Sequence, residues 1–133
     1  DQADIYVLPS ARIHVVSLLQ SMANGLAVVT SDGWGIEEYA IDGHNALIVR
    51  GRHGKVSWID SETGMLKENY KHMFSPDPAI IQGLVSSISK LMDDSELRLR
   101  LGQTARRDVA EVYNMENWNK GLKTAFDKAL ARG

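Results

Sequence analysis

The sequence predicts an α/β fold, a small parallel sheet followed by a helical segment. Three observations carry that reading. Two short apolar runs, Ile5–Leu8 and Leu26–Thr30, flank a stretch with helical spacing. A third run, Asn45–Val49, follows a second short helical stretch. Beyond residue 77 the chain keeps a helical rhythm almost to its end. Strand, helix, strand, helix, strand is the order of parallel βαβ units.

Ile5–Leu8 is continuously apolar and ends at Pro9, as a strand buried on both faces does. Val15, Leu18, Leu19 and Met22 then fall at the i, i+3, i+4, i+7 positions of one helix face. Asn24-Gly25 is a left-handed helix stop. Leu26–Thr30 is rich in β-branched residues and leads into Ser31-Asp32-Gly33-Trp34-Gly35, a turn with two glycines. Ile36–Ile41 reads as about two helical turns closed by Asp42-Gly43. Asn45–Val49 is the third strand.

Regularity then fails. Residues 50–76 form an insertion or loop, longer than the roughly 12–15 residues at which a structureless loop is already uncommon. A short helix is expected within Thr63–His72. Asp77 and Pro78 suit an N-cap and a first helical residue. Ile80, Ile81, Leu84, Val85, Ile88, Leu91 and Met92 share a face of the helix they open. After Asp93-Asp94 a second helix carries Leu97, Leu101, Ala105, Val109 and Val112 on its buried side. Asn114 caps a third, in which Trp118, Leu122, Phe126 and Leu130 recur. Trp118 and Phe126 are read as core.

Composition narrows the function. The chain has 133 residues, one domain's worth, and 44% apolar residues, ordinary for a globular protein. A net charge of −2 argues against nucleic-acid binding through phosphate neutralisation and gives no sign of a polybasic membrane surface. There is no cysteine, hence no disulfide framework or thiolate chemistry, and a reducing cytoplasm fits. No apolar run approaches a transmembrane span. No histidine lies at ligand spacing from carboxylates, so no metal site is expected. A three-strand parallel sheet whose first strand is an open edge is small, so we expect a piece of a larger protein or a chain that borrows a partner.

Ligands of open parallel sheets sit beyond the carboxyl ends of the strands. That rim holds the turn from Pro9 into Val15 and the turn Ser31–Ile36. Val15, Val16 and Ser17 begin a helix, where unpaired amides and the positive dipole end attract phosphate, and Ser17 offers a hydroxyl. Gly33 and Gly35 permit close backbone approach. Trp34 either stacks on a ligand or packs as an ordinary aromatic. Glu38 either accepts from hydroxyls or complements a helix dipole. His14 is a lone histidine in the turn, with no orienting partner identifiable for a general base.

Several landmarks come in one order with close spacing. They are Asp4-Ile5-Tyr6-Val7-Leu8-Pro9-Ser10, Met22-Ala23-Asn24-Gly25-Leu26-Ala27-Val28-Val29-Thr30, Gly35-Ile36-Glu37-Glu38 and Asp42–Val49, followed by Ser95–Gly102 and Ala105-Arg106-Arg107. The set resembles the carboxyl-terminal, nucleotide-sugar donor-binding domain of retaining glycosyltransferases of the GT-B fold, glycosyltransferase 4 type. It covers nearly all of the chain outside residues 50–76.

The resemblance implies the second half of a Rossmann-like donor domain, with βαβαβ core 1–49, insertion 50–76 and C-terminal helices 77–133. The other half, its basic pair for the donor diphosphate, and an acceptor-binding domain would lie upstream. It implies a nucleotide sugar as substrate, no cofactor, an acceptor it does not name, and a fragment inactive by itself. It also implies a cytoplasmic protein, with a peripheral position at a membrane left open. The partner would be the missing upstream domain or a second copy.

The donor-binding positions that it implies are Arg12, His14, Val15, Val16, Ser17, Gln20, Gly33, Trp34, Gly35, Ile36 and Glu38. The family's two glutamates, with seven residues between them, fall on Arg12 and Gln20. Gln20 keeps an oxygen that can accept from a ribose hydroxyl but lacks the charge, and Arg12 reverses the charge at the sugar-facing position. A non-catalytic binding or scaffolding module is therefore the alternative to an enzyme. The last helix would pack across the cleft between domains in that family, leaving its face here exposed or engaged in a dimer.

Overall fold

A computed structural model describes residues 3–51, 58–67 and 74–131. Strand β1 (Ile5–Leu8), helix α1 (Val15–Ala23), β2 (Ala27–Ser31) and β3 (Ala46–Val49) precede α2 (Pro78–Asp93), α3 (Ser95–Val112) and α4 (Met115–Leu130). The three strands form a parallel sheet in the order β1-β2-β3, with Ile5 opposite Ala27 and Val28 opposite Ala46. The fold is thus the expected α/β arrangement of a partial Rossmann-like unit followed by helices.

Burial follows strand position. All of β2 is buried, because it is central and covered on both faces. β1 and β3 are both edges, but Ile5, Tyr6 and Val7 of β1 are only half-buried, whereas α2 lies over β3 and buries most of it. On one face Leu18 and Met22 of α1 pack with Val28, Ala46 and Ile48, joined by Ile36, Ala40 and Ala105. Fully burying a Leu, Met, Val or Ile side chain of this set contributes roughly 1.5–3 kcal/mol. On the other face Ile80 and Leu91 of α2 pack with Ala27, Val29 and Val49.

Two glycines set how closely the helices approach. A Cβ on Gly83 would stand 2.3 Å from Val49 Cγ1, so α2 lies directly on β3. A Cβ on Gly102 would stand 2.1 Å from the Gly25 carbonyl oxygen, which brings α3 onto the turn before β2. Arg100 Nη1 donates to the carbonyl of Gly43, in the turn before β3, at 3.2 Å. α3 therefore closes the end of the sheet where strands begin.

Three expectations are corrected. The stretch Ile36–Ile41 is a single 3-10 turn, Ile36–Glu38, rather than two helical turns. The Asn45 side chain takes over the groups a continuing helix would need, accepting from Ile41 N at 2.7 Å and donating to Tyr39 O at 3.2 Å. The start of the expected Thr63–His72 helix is instead one leg of a small hairpin. Asp60 N donates to Met65 O and Lys67 N to Trp58 O, each at 2.8 Å, while residues 68–72 lie outside the described part. Trp118 and Phe126 are exposed, and no residue of α4 is buried.

Candidate functional site

The turns after β1 and β2 are knitted to each other. Trp34 N donates to Ala11 O and Ile13 N to Trp34 O, both at 3.0 Å, so Arg12 and Trp34 are opposed in a parallel bridge. Below them Ser31 Oγ donates to Ser10 O at 2.8 Å and Thr30 Oγ1 to Leu8 O at 3.1 Å. Gly33 fits between because a Cβ there would meet Ser10 O at 2.3 Å. Gly35 adopts φ +85°, and a Cβ on it would meet Ile13 Cγ2 at 2.9 Å. The two glycines of the turn are thus explained by backbone contact and left-handed geometry.

The third strand joins the same rim. Asp32 N donates to Val49 O at 3.0 Å, and Asp32 Oδ2 accepts from Gly51 N at 2.9 Å. Asp32 is buried at 7% exposure, and its Oδ1 has no hydrogen-bond partner among the described residues. Arg50 is ion-paired with Glu37, whose hydrogen bond holds the guanidinium above its ordinary range.

Of the expected donor-binding residues, Arg12, Gly33, Trp34 and Gly35 lie together in this ridge. His14 stands exposed at the N-cap of α1 and makes no side-chain cap bond. Val15 is half-buried and Val16 exposed. The amides of Val15, Val16 and Ser17 open the helix and have no acceptor within it. The Ser17 hydroxyl donates to His14 O at 3.1 Å, so its proton is engaged within the helix's first turn. Ile36 points inward to the core with 1% exposure. Gln20 and Glu38 are both exposed, and the segments carrying them pack into one core cluster, on one face of the sheet.

Trp58 was not a candidate from sequence, because it lies in the irregular 50–76 stretch. It is 1% exposed, with Arg12 Cζ 5.2 Å from the centroid of its ring. Asp32 likewise read only as a turn residue. A buried carboxylate at the end of a central strand is visible only once the third strand is placed beside it. A cavity of about 420 Å³ shares Ser10 and Ala11 with the rim but opens toward Asp77, Ile80 and Leu84, on the α2 face. Neither Gln20 nor Glu38 lines it. Among the described residues no cluster of three or more His, Asp or Glu side chains could hold a metal, and no helix is long and apolar enough to cross a membrane.

Residues 1–67, which hold the whole rim up to the hairpin, match the family described as glycosyl transferases group 1. An uncharacterized glycosyltransferase of Methanocaldococcus jannaschii is 28% identical over 130 residues, covering 96% of this chain and 26% of the relative. The chain thus spans about a quarter of the length of that relative. A parallel sheet with its strand-end turns joined into one rim, matched to that family across the same residues, identifies the chain as a member of the group 1 glycosyl transferases.

Proposed function

We propose that this chain is the second half of a nucleotide-sugar donor-binding domain, within an enzyme that passes a sugar to an acceptor with retention of configuration. The observation that carries the reading is the joined rim at the carboxyl ends of β1 and β2, with the start of α1 beside it. Parallel sheets bind ligands at that end. The amides of Val15, Val16 and Ser17 supply fixed partial positive charge for a leaving diphosphate, which needs electrostatic support as the glycosidic bond breaks. Gln20 and Glu38, exposed on the same face of the sheet, accept from hydroxyls of the ribose and the sugar. The cysteine-free chain suits the reducing cytoplasm, where we place the protein.

Calorimetric titration of the intact protein with nucleoside diphosphates tests the reading. Binding weakened by Gln20→Ala and by Glu38→Ala is the expected result, and unchanged affinity in both variants refutes the assignment. The 133-residue chain alone is expected to release no sugar from any nucleotide sugar. Arg12 and Gln20, standing where the resemblance implies glutamates, favour one second reading, a domain that binds nucleotide without catalysis. Binding without transfer by the intact protein would select it.

A further inference from the structure

We propose that Arg12 and Trp34 form a subsite for a carboxylate-bearing sugar. The proposal rests on the reading of this rim as the sugar-handling end of the sheet.

Arg12 and Trp34 are opposed in a parallel bridge, and the backbone bonds on either side, Trp34 N to Ala11 O and Ile13 N to Trp34 O, hold the pairing. Opposed residues of a parallel pair present their side chains to the same face. Trp34 is 40% exposed, so part of its indole is open to a ligand. Arg12 is half-buried, with its guanidinium carbon 5.2 Å from the centre of the buried Trp58 ring. That cation–π contact holds the Arg12 side chain against the indole of Trp58.

Three other arginines have acceptors. Arg50 pairs with Glu37, Arg98 donates to the carbonyl of Leu91, and Arg100 donates to that of Gly43. Among the described residues no carboxylate or carbonyl takes the Arg12 side-chain donors. A cation held against Trp58, whose donors have no acceptor among the described residues, on a residue opposed in the bridge to a partly exposed Trp34, calls for a ligand with two matching features. The guanidinium fork suits two oxygens in a plane, as in a carboxylate. The indole suits the apolar face of a pyranose ring. A phosphate also fits the fork but gains nothing from the indole, which favours the sugar acid.

The test uses the intact protein and three probes, glucuronate, glucose and inorganic phosphate, with affinities read by saturation-transfer NMR. Glucuronate is expected to bind about tenfold more tightly than glucose, as a charge-assisted bond implies. Arg12→Ala should erase that preference, and so should Arg12→Gln, which keeps the side-chain stem against Trp58. Trp34→Ala should weaken both sugars alike. Circular dichroism establishes that each variant is folded. Equal binding of glucuronate and glucose overturns the proposal, as does a preference that survives in both Arg12 variants. Phosphate binding as tightly as glucuronate and lost in Arg12→Ala also overturns it, since Arg12 is then a general anion site. A parallel titration with uridine, guanosine and adenosine diphosphates separates the two readings. Nucleotide binding without a glucuronate preference sinks the subsite alone. A glucuronate preference without nucleotide binding sinks the donor-domain reading and leaves the subsite standing.

Discussion

The carbonyl oxygen of Ser10 lies 2.3 Å from the point that a side-chain carbon on Gly33 would occupy. The next nearest atom, the carbonyl carbon of Ala11, would be 2.9 Å away. Both belong to backbone and cannot swing aside. Gly33→Ala is therefore expected to part the two turns and strain the bonds that Trp34 makes to Ala11 and Ile13. Overpacking of this kind costs about 1–3 kcal/mol. Urea unfolding should show that loss, and nucleoside diphosphate binding should fall with it.

Why Gly33 must be glycine was not legible in the sequence, although the turn was. A glycine pair after a β-branched run announces a turn, and Gly35 indeed has positive φ. The 2.3 Å approach to Ser10 arises only when two turns 21 residues apart are laid side by side. The strands and the helix starts were legible because their signals are local. Ile5–Leu8 came out unchanged, and the Asp77 carboxylate accepts from Ala79 N as an N-cap should. The spacing after Gly35 overstates the helix because Asn45 reaches back from the next strand to end it. Spacing alone also gave α4 a buried face. A 3.6-residue stripe reports that a face is apolar, not that anything covers it. Trp58 gives no signal in the sequence, since no periodicity surrounds it.

Asn45 is the joint between the 3-10 turn and α3. Its side chain is 1% exposed, accepts from Ile41 N, and donates to Tyr39 O and to Asp108 Oδ2 at 2.9 Å. Asn45→Asp keeps the acceptor for Ile41 but loses both donors and sets a carboxylate against Asp108. Unpaired buried groups and like charges together should cost about 2–4 kcal/mol. The loss should be smaller at pH values low enough to protonate the new carboxyl. Chemical unfolding at two pH values checks both statements, and an equally stable variant would show that the joint carries no energy.

Tyr113 locks the far end of α3 to the same turn. Its hydroxyl donates to Glu38 O at 2.6 Å, and its ring lies 5.1 Å from that of Tyr39. Burial raises the phenol above its ordinary range, with Tyr39, Asp108 and Glu38 adding to the effect. The folded state thus holds this proton more tightly than the unfolded chain does. Its contribution is complete below the ordinary tyrosine value of about 10 and is lost as pH rises through the folded value. Tyr113→Phe should cost about 0.5–1.5 kcal/mol near neutrality, the worth of one hydrogen bond. It should also flatten the fall in stability above pH 10, a comparison that alkaline unfolding curves make directly.

α4 is expected to be the least protected of the helices. None of its residues is buried, and Trp118, Phe126 and Leu130 face solvent. Its internal support is local: the Asn114 cap on Asn117 N at 2.9 Å, and the exposed pairs Lys120–Glu116 and Lys123–Asp127. Pairs of that kind contribute roughly 0.3–0.5 kcal/mol each, too little to hold a 16-residue helix that is marginal in water by itself. Amide hydrogen exchange should therefore be orders of magnitude faster along residues 118–128 than at Leu101 and Ala105, which sit in the core. Removing residues 115–133 should leave the unfolding midpoint of the remainder nearly unchanged. Equal protection in α4 and α3 would mean that the apolar stripe is covered in solution, and sedimentation velocity at two concentrations would then show whether a second copy covers it.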